Sequence, residues 1–141
     1  MQATLLITVL ALGAPALKEK GAKTTIVGEW VAEQCIVSGR PPAQWKGETR
    51  WVFKSDGARS ISKGGQQLVT GTYSIDTRKS PAILDLDQNA PAGSYPCIYK
   101  IEEDTLTLNV GWQKAPRPEA FDSPPGSLCT LYVFKRVTAK D

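Results

Sequence analysis

The sequence predicts an all-β domain: an eight-stranded antiparallel barrel of up-and-down connectivity. Three observations carry this. Short apolar runs alternate with turn signals along the whole region from residue 26 to residue 137. No apolar period of 3.6 residues persists there long enough to argue a helix. Most of the connections are short enough to be hairpins, and closing eight such strands on themselves removes the exposed sheet edges.

Each strand has its own signature. "TIVGEWVAEQCIVSG" is a long first strand that ends at Gly39, and "RPPAQW" turns the chain after it. "GETRWVFKSDG" is the second, closing on Asp56-Gly57, a strong hairpin signal. "ARSISKGG" is the third, ended by Gly64-Gly65, and "QQLVTGTYSID" the fourth. "PAILDLD" is the fifth, with Pro81 at its first position, where a missing N–H does least harm. "SYPCIYKI" and "TLTLNVGW" are the sixth and seventh, joined by the acidic turn Glu102-Glu103-Asp104, and "SLCTLYVFKRV" is the eighth. The alternation puts Trp51 and Phe53 on one face of their strand, Tyr73 and Ile75 on one face of theirs, and Leu106, Leu108 and Val110 together on the seventh.

One connection is different. "QKAPRPEAFDSPPGSLC", residues 113 to 129, holds Pro116, Pro118, Pro124 and Pro125 between the last two strands. Each proline fixes a backbone angle and lowers the entropy lost in holding one shape. Phe121 in its middle is placed to lie against the barrel. "LYVF" (131 to 134) is apolar on both faces and needs a cover, for which this loop is the nearest candidate. The loop reads as a brace, with a ligand gate as the sharper alternative.

The ends and the composition bound the rest. Residues 1 to 16 have an uncharged, apolar core of signal-peptide length with a small-x-small pair at Ala14 and Ala16; a flexible tail of residues 17 to 25 follows, and residues 138 to 141 form a C-terminal tail. Export to the periplasm or outside the cell is expected, with no membrane span after removal of the leader, and the domain is read as a monomer. The net charge of +3 is not gathered into a basic face, so nucleic acid is not an expected partner. No cofactor or metal is expected: there is no histidine, and Cys35, Cys97 and Cys129 stand apart. Without histidine, Ser-His-Asp and Cys-His chemistry is absent. The reading is therefore of a protein that is not an enzyme.

"GEW" (Gly28, Glu29, Trp30) opening the first strand, with "FKR" (Phe134, Lys135, Arg136) ending the last, resembles the lipocalin signature. That resemblance implies Trp30 packed at the closed end of the barrel with the basic Arg136 crossing it. A fuller resemblance runs from about Val27 to Val137, carried by "GEWVAEQCIVSGRPP", "WVFKSDG", "GTYSIDTRKSPAILDLD", "CIYKIEEDTLTLNVGW" and "RPEAFDSPPGS". These blocks are similar to a lipocalin-like domain family expanded in planctomycete bacteria. It implies an exported, lipocalin-like barrel, found singly or attached to other modules, and carries over no catalytic or binding residue.

The candidate ligand-binding residues are the rings expected to point inward: Trp51, Tyr73 and Tyr99. The plain alternative is that they fill the core. Gly28, Trp30, Phe121 and Arg136 are read as structural. Asp85 and Asp87 share a face about 7 Å apart, and a solvated outer surface is the expected setting for both. For the cysteines, an antiparallel register with Trp30 beside Phe134 brings Cys35 beside Cys129, a candidate disulfide that leaves Cys97 over; three free thiols are the alternative. The leading functional expectation is non-catalytic binding of a small apolar or amphipathic molecule in the barrel mouth. The alternative is a protein-binding module, for an envelope component or in the manner of a protease inhibitor, using the barrel exterior or the loop of residues 112 to 127.

Overall fold

The computed structural model describes residues 25–40, 49–87 and 93–138. The expected leader, most of both tails and the turn after the first strand lie outside these residues. The described chain is a closed antiparallel barrel in which each strand pairs with its sequence neighbours and the last returns to the first. The strands are β1 (Gly28–Val37), β2 (Thr49–Phe53), β3 (Ala58–Lys63), β4 (Gln66–Asp76), β5 (Ala82–Leu86), β6 (Tyr95–Glu102), β7 (Thr105–Gly111) and β8 (Cys129–Arg136). All eight expected strands form in the expected order, and among the described residues there is no helix.

Alternation decides what faces inward. Trp51 and Phe53, Leu84 and Leu86, Cys97 and Tyr99, and Leu106, Leu108 and Val110 join Trp30 and Phe134 in one buried cluster. Tyr73 packs on this cluster as a part-buried ring. Ile75, expected on the same face, is 43 % exposed.

One end of the barrel is sealed as the resemblance implies. Trp30 is fully buried, and its Nε1 donates to the Ile26 carbonyl at 2.9 Å. The Arg136 guanidinium lies over the indole, 4.3 Å from the ring centroid, and reaches the Asp104 carboxylate at 3.4 Å. A cation desolvated over an indole face gains cation–π energy while its charge stays paired at the rim. Gly28 (φ 142°) lies beneath it, and a Cβ there would stand 3.7 Å from Arg136 Nη1. The conformation, rather than the space, asks for glycine.

The β1–β8 register corrects the disulfide expectation. Trp30 pairs with Arg136, not Phe134, and a bulge between Ala32 and Gln34 shifts the pairing again, so Cys35 stands opposite Tyr132. Cys35 shares the inward face with Tyr132, whereas Cys129 pairs with Gly111 and points outward beneath the proline-rich loop, its thiol 3.5 Å from the Asp122 carbonyl. A slip of an odd number of residues moves a side chain to the opposite face of a sheet. All three cysteines are buried, free thiols.

The long loop braces the barrel, although not over the strand expected. Ile98 and Asn109 point outward from β6 and β7, yet are 2 % and 0 % exposed. Asn109 Nδ2 donates to the carbonyls of Ala120 (2.8 Å) and Asp122 (2.7 Å). Arg117 reaches further, donating to the Cys97 and Leu84 carbonyls and pairing with Asp85 at 2.8 Å. Pro118 packs so closely on Gly111 that a Cβ there would be 3.0 Å from the ring. Ser123 accepts the Ser38 amide and donates to the Cys129 carbonyl, which ties the loop to β1 as well. Phe121 lies part-buried under the Lys100 ammonium, 4.9 Å from its centroid. The loop thus covers the outer faces of β5, β6 and β7, while Leu131 and Val133 on β8 remain half-buried.

Two outcomes test this account. Trp30→Ala should lower unfolding stability by about 3–5 kcal/mol, from lost burial and the cavity left behind; denaturant titration measures it. Arg117→Ala should lower stability by about 2 kcal/mol and selectively raise amide exchange across residues 112 to 127 while the strands stay protected.

Candidate functional site

The barrel is sealed at the Trp30 end and open at the other. There the ends of the strands leave a cavity of about 300 Å³ walled by Trp51, Ile61, Val69, Leu86, Tyr95, Val110, Trp112 and Tyr132, with Arg59, Asp87 and Thr130 as its polar groups. Its walls follow from the alternation. Ile61 pairs with Trp51 across β2–β3, and Leu86 pairs with Tyr95 across β5–β6, so each pair presents both members to the interior. Trp51 lies 5.1 Å from the Tyr132 ring and 5.3 Å from Phe134, and Tyr132 stacks on Phe134 at 5.4 Å. These rings form a rigid floor between the cavity and the sealed end.

Arg59 is the unusual member. It pairs with Phe53 and Gly71, so alternation turns it inward with Ile61, and it is only 5 % exposed. A buried guanidinium needs a partner, and Asp87 supplies it. Nε and Nη2 of Arg59 meet the two carboxylate oxygens at 3.3 and 2.6 Å, the fork-on-fork geometry that arginine favours. Arg59 also lies 5.7 Å from the Trp51 centroid. Asp87 reaches this position because its backbone is left-handed (φ 56°), which folds the end of β5 across β4. Its amide then bonds the Thr72 carbonyl at 2.8 Å, and its Oδ1 accepts the Thr72 N–H at 3.1 Å. Gly71 makes this possible: a Cβ on residue 71 would run into Asp87 Oδ1.

The sequence-expected ring residues divide between two settings. Trp51 lines the cavity. Tyr73 does not: it packs edge-on against Phe53 and donates its hydroxyl to the Lys54 carbonyl at 2.6 Å. Tyr99 is a core residue, 5 % exposed, whose edge borders only a broad external hollow beside Pro81, Lys100 and Phe121. That hollow is larger, about 530 Å³, but shallower and more open to solvent, and it gathers no buried polar group. The mouth is therefore the better site. Asp85 and Asp87, expected on a solvated face, are both paired: Asp85 outward with Arg117, Asp87 inward with Arg59.

Sequence reasoning missed Arg59, Tyr95, Trp112, Thr130 and Tyr132. For Arg59 a signal existed, since it stands two residues before Ile61 and so shares its face. Trp112, 37 % exposed at the rim, donates its Nε1 to Thr130 Oγ1 at 3.2 Å.

Burial sets the titration behaviour inside. It pushes the Tyr132 phenol well above its ordinary value, with the nearby Cys35 adding to the effect. The Cys97 thiol is likewise driven far up by burial. Cys35 is raised by burial although it shares a hydrogen bond with Tyr132. Protonated thiols are poor nucleophiles, and what the mouth offers chemically is apolar contact, ring faces and N–H donors. Among the described residues no cluster of three His, Cys, Asp or Glu is placed to hold a metal ion.

No family model matches the chain, and no curated protein is significantly similar to it. The site stands on its own geometry.

The raised values make a pH prediction. A thiol or phenol whose pKa is higher folded than unfolded contributes its full stability below the unfolded value, near 9 for cysteine and 10 for tyrosine. That stability is lost as pH rises from there towards the folded value. These groups therefore leave unfolding free energy unchanged between neutral pH and about pH 8 and lower it above about pH 9, with protons released on unfolding. Denaturant titrations across this range test it, together with tyrosinate absorbance, which should develop fully only as the barrel opens.

Proposed function

We propose that this protein is a non-catalytic, exported binding barrel that takes a small apolar or amphipathic molecule into its open mouth. The observation that carries the reading is the cavity: about 300 Å³, open at one end, and floored by Trp51 and Tyr132. A barrel built only for structure would fill this space with side chains, and interiors of that kind pack to near-crystalline density. Apolar walls with a few placed polar groups are the usual form of a small-molecule site. A water takes about 30 Å³ of liquid volume, so the cavity suits a ligand of roughly ten non-hydrogen atoms. The export part of the proposal rests on the leader-like residues 1 to 16, and kinship with the planctomycete lipocalin-like domains rests on the shared sequence blocks.

Protein binding through the loop is the lesser reading. The loop has exposed Leu128 beside it, but its backbone and Arg117, Ser123 and Asn109 contacts are directed at the barrel itself.

The experiment is direct. Native mass spectrometry of protein taken from its own source, paired with organic extraction, should reveal a co-purifying molecule of small mass. Removing it should change tryptophan emission, because Trp51 and Trp112 face the cavity. A protein that carries nothing, and whose emission ignores a panel of ten-atom apolar probes, would overturn the proposal.

A further inference from the structure

The charge arrangement in the mouth restricts the chemical class of ligand, given the reading of that mouth as a ligand site. A guanidinium has five N–H donors. Arg59 commits two of its nitrogens, Nε and Nη2, to Asp87, and Nη1 has no acceptor among the described residues. The side chain is 4 % exposed and lines the cavity, so these donors are directed at enclosed space. Asp87 is the reverse case: Oδ1 already accepts Arg59 Nε and the Thr72 amide, and Oδ2 accepts Arg59 Nη2. The other polar pair at the mouth, Trp112 and Thr130, is joined to itself. The hydroxyls of Tyr95, Tyr132 and Thr130 can donate or accept, so the fixed surplus in the cavity is the N–H donors of Arg59, and a bound molecule that brings an oxygen acceptor meets it.

Charge decides which kind of oxygen. The Arg59 cation is already balanced by Asp87 at 2.6 Å. A ligand carboxylate at Nη1 would lie nearer Arg59 than Asp87, but Asp87, held on the Nε and Nη2 edge, offsets part of the attraction, and the carboxylate would lose its own hydration on entry. A neutral carbonyl loses far less hydration and still takes the Nη1 hydrogen bond. We infer that the mouth selects neutral, oxygen-bearing apolar molecules (ketones, esters or amides with a hydrocarbon body of roughly ten atoms) and discriminates against organic anions of the same shape.

Three probes of one skeleton test this: 2-octanone, octanoate and octane, each titrated at pH 7 and followed by amide chemical shifts of the intact protein. The ketone should bind at least about tenfold more tightly than octanoate, and more tightly than octane. In Asp87→Asn the counter-charge is gone and the shape kept, so octanoate should gain at least about tenfold relative to the ketone. In the paired variant Arg59→Met with Asp87→Asn, the ketone's advantage over octane should disappear while octane binding persists. Octanoate equal to or tighter than the ketone in the native protein would overturn the inference and leave the binding barrel intact. So would an Asp87→Asn protein with unchanged preference, once its amide spectrum shows the fold retained. Failure of all three probes to bind would overturn the ligand-site reading itself and this inference with it.

Discussion

Closure of the sheet depends on the pairing of β1 with β8, and that pairing is fixed where Arg136 crosses Trp30. Register in a sheet with one buried face is set by which side chains must go inside, and the largest of them dominates. Trp30 is fully buried, its indole N–H is taken by the Ile26 carbonyl, and Arg136 lies over its face. From there the positions of Phe134, Tyr132 and Thr130 along β8 are determined, and with them the ring floor and the wall of the open mouth. The bulge near Glu33 takes up the one residue by which β1 outruns its partner.

The two ends of the barrel solve opposite problems with the same parts. At the sealed end an arginine lies over an indole and the space beneath is full. At the open end another arginine, Arg59, lies beside another indole, Trp51, and space remains. The difference is in the neighbours. Phe53, Leu106 and Phe134 are fully buried in one cluster with Trp30, while opposite Arg59 the chain has Gly71 and the inward-turned Asp87. Removing a side chain at residue 71 is what admits the counter-ion, and the counter-ion is what lets a charge be stored in an otherwise apolar cavity.

The architecture was legible because it depends on patterns that repeat. Alternation and turn residues marked all eight strands, and the Trp30–Arg136 contact was legible from the two ends of the domain. What failed depended on single-residue events. One bulge and a register offset moved Cys35 away from Cys129 and onto the other face, and no periodicity carries that information. Asp87 looked like one of an alternating pair with Asp85, but its left-handed backbone broke the alternation at that residue. Tyr73 and Tyr99 were correctly turned inward yet sit below the cavity, because the depth of a residue along a strand is set by barrel stagger rather than by its face. Arg59 was readable in principle. Its charge argued for solvent, whereas its position argued for the interior, and position prevailed once Asp87 could meet it.

The sealed end has a consequence for how such a domain is attached to anything else. The described chain enters at Thr25, whose carbonyl accepts Arg136 Nη2 at 3.4 Å, and Val137 leaves it with its amide on the Glu29 carbonyl at 2.8 Å. Entry and exit are therefore side by side, at the pole opposite the mouth. A tether, a fused module or a surface joined at either end would hold the barrel by its base, like a cup fixed to a shelf, with its opening turned towards whatever diffuses past. Two copies fused through these ends would each be joined at the base, away from the mouth.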